Sequence, residues 1–269
     1  MTVFQRMVLG ARAKLAREVE LCVLPNEERT RVFREQTKTD QPVECVWNVP
    51  RSAEICSPKK KPVSNSLLKL FYGGTLTSKI LPKILLESIV EMGSVELHIV
   101  GYATYSETKY FQWLRDFVRQ KKNINLYGSL CRHKMLNVAD LCDAAICLYS
   151  PKENQINFRY LAGASNKPFD AIARGLALVV SDLSQWTQMY LGEKNGYEVK
   201  DGKEYRISDV GYGIAINPES GGSVRAGLEW MLSNREKLWE MGERGRKKIQ
   251  KEWNYEKMFT PVLKKFEIK

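Results

Sequence analysis

The residues best suited to chemistry lie in two short stretches. The first is Ser165-Asn166-Lys167-Pro168-Phe169-Asp170, which reads as the opening of a helix. Ser165 or Asn166 can cap its first turn, because a short polar side chain accepts an orphan backbone N–H there. Pro168 fits early in that turn, where its missing N–H costs little. A helix start carries unpaired N–H groups and a partial positive charge, so it can hold a phosphate. Lys167 adds a full charge at that end, and Asn166 stands beside it. Asp170, one turn in, can accept hydrogen bonds from a sugar diol. A solvated first-turn carboxylate, favoured by the helix dipole by about 0.3–1 kcal/mol, is the plain alternative.

The second stretch is Tyr72-Gly73-Gly74-Thr75-Leu76, followed by Lys79. Two glycines let backbone approach a ligand closely, and a tight strand–helix turn explains them as well. Lys79 falls where the next helix is expected to begin. A cation there opposes the dipole unless an anion compensates it, so a phosphate contact is expected and Lys79→Ala should weaken nucleoside diphosphate binding.

No catalytic residue stands out. There is no Ser/His/Asp set, no D-x-D pair, no G-x-G-x-x-G and no Walker lysine. His98 and His133 are too few and too isolated to suggest a metal site; they read as a strand histidine and a helix-start residue. None of the six cysteines forms a C-x-x-C pair, so reduced structural thiols are expected.

The elements that must position these groups alternate along the chain. Strands at 67–72, 95–100, 123–127, 144–149, 176–180 and 213–216 are interleaved with helices at 79–92, 107–121, 132–139, 166–174 and 184–191, and helices follow at 223–232, 235–252 and 255–266. Residues 176–180 are a continuous apolar run, as expected of a parallel strand covered on both faces. The pattern predicts an α/β fold with a doubly wound parallel sheet, whose ligands bind beyond the carboxyl ends of the strands. A polar stretch at 192–208 reads as a surface hairpin or loop. Before this domain, a helix at 2–18, short strands at 20–24 and 43–47 and a helix between them are too small to close a covered sheet. Residues 51–66, rich in Pro, Lys and Ser, read as a linker and solvated hinge.

Hydrophobic residues make up 43% of the 269, enough for a core. No apolar run reaches the ~20 residues needed to span a bilayer. Residues 1–15 lack the compact apolar centre of a signal peptide. Cytoplasmic residence, free or on the inner face of a membrane, is the expectation. The net charge of +11 favours an anionic partner. The basic residues are spread out, without an aromatic–basic repeat, so nucleic acid ranks below a phosphate-bearing small molecule or an anionic membrane surface.

Taken together, L-F-Y-G-G-T-L with Lys79, V-E-L-H-I-V-G, I-N-L-Y-G-S-L, L-C-D-A-A-I-C-L-Y, N-K-P-F-D-A-I-A-R-G-L-A-L-V-V-S-D and M-G-E-R-G-R…E-W-N-Y-E resemble, in this order, the donor-binding half of retaining glycosyltransferases of the GT-B fold, the large family-four type. The resemblance implies a metal-independent transferase with a nucleotide sugar as substrate and no cofactor. Gly73, Gly74 and Lys79 would touch the donor diphosphate. The helix with Asn166 and Lys167 would approach the donor, and Asp170, where the family has Glu, would bind the nucleotide ribose. Ala162 stands where many members carry another Glu, and Asn154 and Asn157 resemble a subgroup with Asn-rich loops.

The expected organisation is a remnant of the acceptor-side domain at 1–50, a linker at 51–66, a donor-binding domain at 67–252 and a C-terminal helix at 253–269. The incomplete first domain implies a chain inactive alone, or one completed by a partner chain or a second copy. A non-catalytic nucleotide-sugar-binding module and a sugar-nucleotide epimerase are the alternatives.

Overall fold

The computed structural model describes residues 2–61, 67–105, 108–150, 161–192, 198–199, 205–207 and 210–267. Helix α1 (Val3–Glu18) starts in a capping box, with Gln5 N–H donating to the Thr2 hydroxyl and Thr2 N–H to the Gln5 side chain. Strands β1 (Cys22–Leu24) and β2 (Val43–Cys45) pair in parallel across helix α2 (Glu27–Thr37). Asn26 caps α2 by accepting from Arg29 N–H at 2.8 Å. The unit leaves apolar surface open: Phe4, Met7, Val8 and Leu15 of α1 are all exposed.

The rest of the chain builds one eight-stranded sheet. Its strands are β3 (Leu68–Thr75), β4 (Val95–Tyr102), β5 (Ile124–Gly128), β6 (Ala144–Cys147), β7 (Ala177–Ser181), β8 (Glu198–Val199), β9 (Tyr205–Ile207) and β10 (Gly213–Ile216), in the spatial order β5-β4-β3-β6-β7-β10-β9-β8. The first six run parallel; β9 and β8 add on antiparallel. The helices are α3 (Lys83–Glu91), α4 (Thr108–Val118), α5 (Arg132–Asp140), α6 (Asn166–Ala173), α7 (Ser184–Leu191), α8 (Gly221–Ser233), α9 (Arg235–Lys251), α10 (Tyr255–Met258) and α11 (Thr260–Glu267). Leu70, Tyr72, Leu97, Ile99, Leu178, Val180 and Ile214 are fully buried, which is what two covered faces require of a parallel sheet. The α/β, doubly wound, Rossmann-like class expected from the sequence is the one found, together with the separate strand–helix–strand unit. The strand order reverses between β3 and β6, and there the crevice at the carboxyl edge opens.

Four local expectations are corrected. Gly73 and Gly74 do not follow the first strand but are rungs near its end, opposite Val100 and Gly101 of β4 and before the last pair, Thr75 and Tyr102. The next helix starts at Lys83 behind Pro82, so Lys79 lies in the preceding turn, its carbonyl accepting from Ser150 N–H at 2.9 Å. The C-terminal helix is two short ones, broken at Phe259, since Pro261 has no N–H with which to continue α10. They return to the first unit, with Tyr255 N–H donating to Pro50 at 2.9 Å and Lys265 pairing with Glu44 at 2.9 Å.

The described part of the linker, through residue 61, is a strap rather than a solvated hinge. Cys56 N–H donates to Ala173 at 3.1 Å and Lys59 N–H to Glu243 at 3.2 Å. The Lys59 ammonium donates to the Cys142 carbonyl at 2.6 Å, and Trp239 donates to the Lys59 carbonyl at 3.0 Å. Burial lowers the Lys59 pKa. Lys60 and Lys61 keep to the surface, where their charge is hydrated.

Candidate functional site

Helix α6 is fixed to its surroundings on three sides. Phe169 is fully buried and stacks on Trp47 of the first unit, with ring centroids 5.9 Å apart and planes 25° from parallel. It also meets Trp253 edge-on at 5.9 Å. Asn26 and Asn48 donate to the carbonyls of Ala162 and Ala164 at 2.8 and 2.7 Å, and Gly163, at φ +81°, turns tightly against the Trp47 ring. Behind α6, Gly242 and Gly245 of α9 lie against the Gly175 carbonyl and Ile172, where a Cβ would have no room at residue 242. The glycines of M-G-E-R-G-R therefore let α9 seat α6 against the sheet.

The N-terminus of α6 points its side chains into the crevice between β3 and β6. A cavity of about 170 Å³ lies there, and Gly73, Gly74, Asn166, Lys167 and Asp170 all line it. Lys79 is not among its lining residues. Asn166 and Asp170 also line an adjoining open cleft of about 1070 Å³, whose far wall is built by Val46, Trp47 and Val49 of the first unit. Asn154 and Asn157 lie outside the described residues.

Lys167 is the electrostatic centre of the cavity. Its ammonium donates to the Tyr72 hydroxyl at 3.1 Å and lies 4.6 Å from the centroid of that ring and 5.6 Å from the Tyr149 ring. Tyr72 in turn donates to the Thr75 carbonyl, which holds the strand end beyond the two glycines. Among the described residues no carboxylate pairs with Lys167. Burial pushes its pKa down to about 8, against a small opposing effect of the Cys147 thiol. A half-buried cation with no described carboxylate beside it attracts an anion, because a local dielectric below that of water magnifies the interaction.

The helix cap is built differently from expectation. Ser165 is the cap residue but makes no side-chain hydrogen bond to the first turn. Its hydroxyl pairs with Tyr149 at 3.1 Å instead. The first-turn N–H groups thus gain nothing from that side chain, which suits an anion site.

Asp170 accepts from Arg132 at both oxygens, from Nη2 at 2.8 Å and Nη1 at 3.1 Å. Burial raises its pKa and Arg132 works against that rise. Arg132 and its second partner, Glu54, were not singled out from the sequence. They stand 78 positions apart, and no local pattern joins them.

His98 is a buried strand histidine, its Nδ1 2.8 Å from the Tyr127 hydroxyl, and burial lowers its pKa. His133 sits in the first turn of α5, 3.4 Å from the Cys131 Sγ. The six cysteines are free thiols, and burial pushes Cys142 and Cys147 up to about 12. Among the described residues no group of three or more His, Cys, Asp or Glu is placed to hold a metal ion, and no helix is long and apolar enough to cross a membrane.

No protein-family model matches the sequence, and neither does a curated protein. Solved structures do match. Alr3699/HepE of Anabaena in complex with UDP aligns with a TM-score of 0.67 at 12% identity, covering 99% of this chain and 69% of that one. Sucrose-phosphate synthase from Thermosynechococcus elongatus gives 0.63 at 11% identity, covering 98% of this chain and 61% of that one. TarM of S. aureus, in a complex with UDP, gives 0.59 at 13% identity, covering 94% and 45%. At such identities the likeness is one of fold, and the fold is that of the GT-B glycosyltransferases, of which this chain spans between about half and two thirds of the length.

Proposed function

We propose that this chain binds a nucleotide sugar through its diphosphate and transfers the sugar to an acceptor, with retention of configuration and without a metal ion. The observation that carries the reading is the half-buried Lys167 ammonium, unpaired with any described carboxylate, at the switch point beside Gly73, Gly74 and the N-terminus of α6. That HepE was solved with UDP-glucose, and with UDP and glucose, supports the same substrate class. As the bond to the anomeric carbon breaks, negative charge gathers on the leaving diphosphate. Lys167 and the first-turn N–H groups of α6 would stabilise it, in a cavity of lower dielectric than water. A charge-assisted hydrogen bond of this kind contributes about 1.5–3 kcal/mol. Asp170 would take the ribose, and Lys79 would act from outside the cavity.

The open cleft beside the cavity is where the acceptor would enter. Part of its far side would come from a partner chain or a second copy, and the exposed apolar face of α1 is where that partner, or an anionic membrane surface, would attach. The same face supports a second reading, a nucleotide-sugar-binding module that acts only within an assembly. Calorimetry with UDP, ADP and GDP and their glucose conjugates tests the shared part of both. Micromolar to millimolar binding of at least one is expected, and absence of binding by all of them overturns both. Product analysis by NMR in the presence of EDTA, with the axial or equatorial anomer read directly, then tests retention and metal independence.

A further inference from the structure

Arg132 stands between two carboxylates from distant parts of the chain. On one side it holds Asp170 at both oxygens, at 2.8 and 3.1 Å. On the other, its Nη2 donates to Glu54 Oε2 at 3.0 Å and its Nε to Glu54 Oε1. Glu54 is itself anchored. Its carbonyl accepts from Arg174 Nη1 at 2.8 Å, and Arg174 is held by Asp140. The Asp170 side chain is only 12% exposed, Arg132 43%. The guanidinium therefore lies on the cleft side and the carboxylate in the wall shared by cleft and cavity.

A carboxylate offers about four lone-pair directions. Arg132 uses one at each oxygen, which leaves others for a ligand. A bidentate guanidinium also fixes the carboxylate plane. We propose that Arg132 is the positioning residue of a ribose-diol subsite: it aims the Asp170 carboxylate at the cavity and holds it there, with Glu54 as its anchor. The inference rests on the nucleotide-sugar reading and deepens it. Burial and the Glu54 charge both push the Asp170 carboxyl up, and Arg132 opposes them. The other ionisable groups facing Asp170 are Lys167 on its own helix and the Cys147 thiol of β6. A lysine in place of Arg132 brings charge without the planar fork.

The experiment is calorimetry on the full chain with UDP and with its 2′,3′-dideoxy analogue, for the wild type, Arg132→Lys, Asp170→Asn and Glu54→Gln, each checked by thermal melting. The wild type should prefer UDP by about tenfold, the scale of a hydrogen bond to a charged group. Arg132→Lys and Asp170→Asn should each remove that preference, and their effects on it should not add when combined. Glu54→Gln, which alters nothing in the cavity wall, should reduce the preference in part. In Arg132→Lys the UDP affinity should also fall more steeply than in the wild type as the pH is lowered, because burial already raises the Asp170 pKa and the less well held carboxyl takes up a proton more readily. Equal losses for both ligands, or none, overturn the positioning role and leave the nucleotide reading standing. A wild type that binds none of UDP, ADP and GDP overturns that reading and this inference with it.

Discussion

The side chain of Lys167 lies directly over Gly74: a Cβ at residue 74 would sit 2.4 Å from Lys167 Cε. Lysine and glycine come from opposite sides of the switch point, one from the start of α6 and the other from the end of β3. Their contact closes the cavity and sets where the ammonium rests. Gly74 also has φ +139°, a conformation that a side chain disfavours.

Gly74→Ala should therefore act on binding more than on stability. The clashing atom is near the end of a flexible side chain and can move aside, so the folding cost is mainly the backbone strain, about 1 kcal/mol or somewhat more. The displaced ammonium should weaken UDP binding by about tenfold or more. Urea denaturation and calorimetry measure the two effects separately. Unchanged affinity in a folded variant would show that the ammonium position does not matter.

Lys167→Ala should weaken nucleoside diphosphate binding by about ten- to a hundredfold, the loss of one charge-assisted hydrogen bond. Lys79→Ala should cost less, because Lys79 is exposed in a turn and does not line the cavity. Titration of both variants with UDP ranks them. A larger loss for Lys79 would move the diphosphate toward that turn.

The same lysine predicts two opposite pH trends. Its folded pKa is lowered to about 8 from an ordinary value near 10.5. Between those values the unfolded chain binds more protons than the folded one, so this group makes stability rise with pH across that window. Below it the buried charge is a constant cost. Lys167→Met should lack the rise and be the more stable protein near neutrality. Ligand binding runs the other way, since a diphosphate favours the ammonium. UDP affinity should fall above about pH 8, and binding there should take up a proton, visible as a buffer-dependent heat. Denaturation from pH 7 to 10 and calorimetry in two buffers check both trends, and a flat difference between wild type and Lys167→Met contradicts the first.

The alternation of strand and helix was legible because each period is local: the apolar run of β7 and the helical spacing of Phe169, Ile172 and Ala173 need no distant partner. Gly73, Gly74, Asn166, Lys167 and Asp170, which line one cavity, stand out in the sequence as a glycine pair and a helix start, although the glycines turn out to be rungs of β3 rather than a loop after it. Lys79 was misplaced because Pro82 delays the helix by four residues, and proline is as acceptable at a cap as inside the first turn. Ser165 looked like a cap, but Tyr149 holds its hydroxyl, a choice made by tertiary packing. The strap could not be read at all. Pro58, Lys59, Lys60 and Lys61 have the composition of a solvated hinge, and only Glu243, Cys142 and Trp239, far along the chain, turn Lys59 inward.

Phe169→Ala should test whether the aromatic cluster ties the first unit to α6. Phe169 is fully buried against Trp47, Trp253 and Tyr190. Truncation leaves a cavity and should cost about 3–5 kcal/mol. Because Trp47 loses its stacking partner, hydrogen exchange should quicken in β2 as well as in α6. A global loss with β2 unaffected would show that the polar contacts of Asn26, Glu44, Asn48 and Pro50 hold the first unit without the aromatic cluster.

Glu243→Ala tests the strap. Glu243 accepts from Arg246 at 2.9 to 3.2 Å and from Lys59 N–H at 3.2 Å, and both side chains of the ion pair are under 10% exposed. Removing the carboxylate leaves the Arg246 cation buried without its partner, which typically costs about 3–5 kcal/mol. Replacing both ions, as Glu243→Leu with Arg246→Met, should recover most of that loss, because burying two charges was itself expensive. The recovered protein would still lack the acceptor for Lys59 N–H, so trypsin should cut after Lys59 and Lys60 faster than in the wild type in both variants. Denaturation combined with timed proteolysis separates core stability from strap attachment. Since Glu54 rides on the same strap, the stable double variant should also lose part of the UDP preference that Arg132 is proposed to set. If the strap is cut faster and that preference is intact, the carbonyl bond from Arg174 is sufficient to hold Glu54 in place.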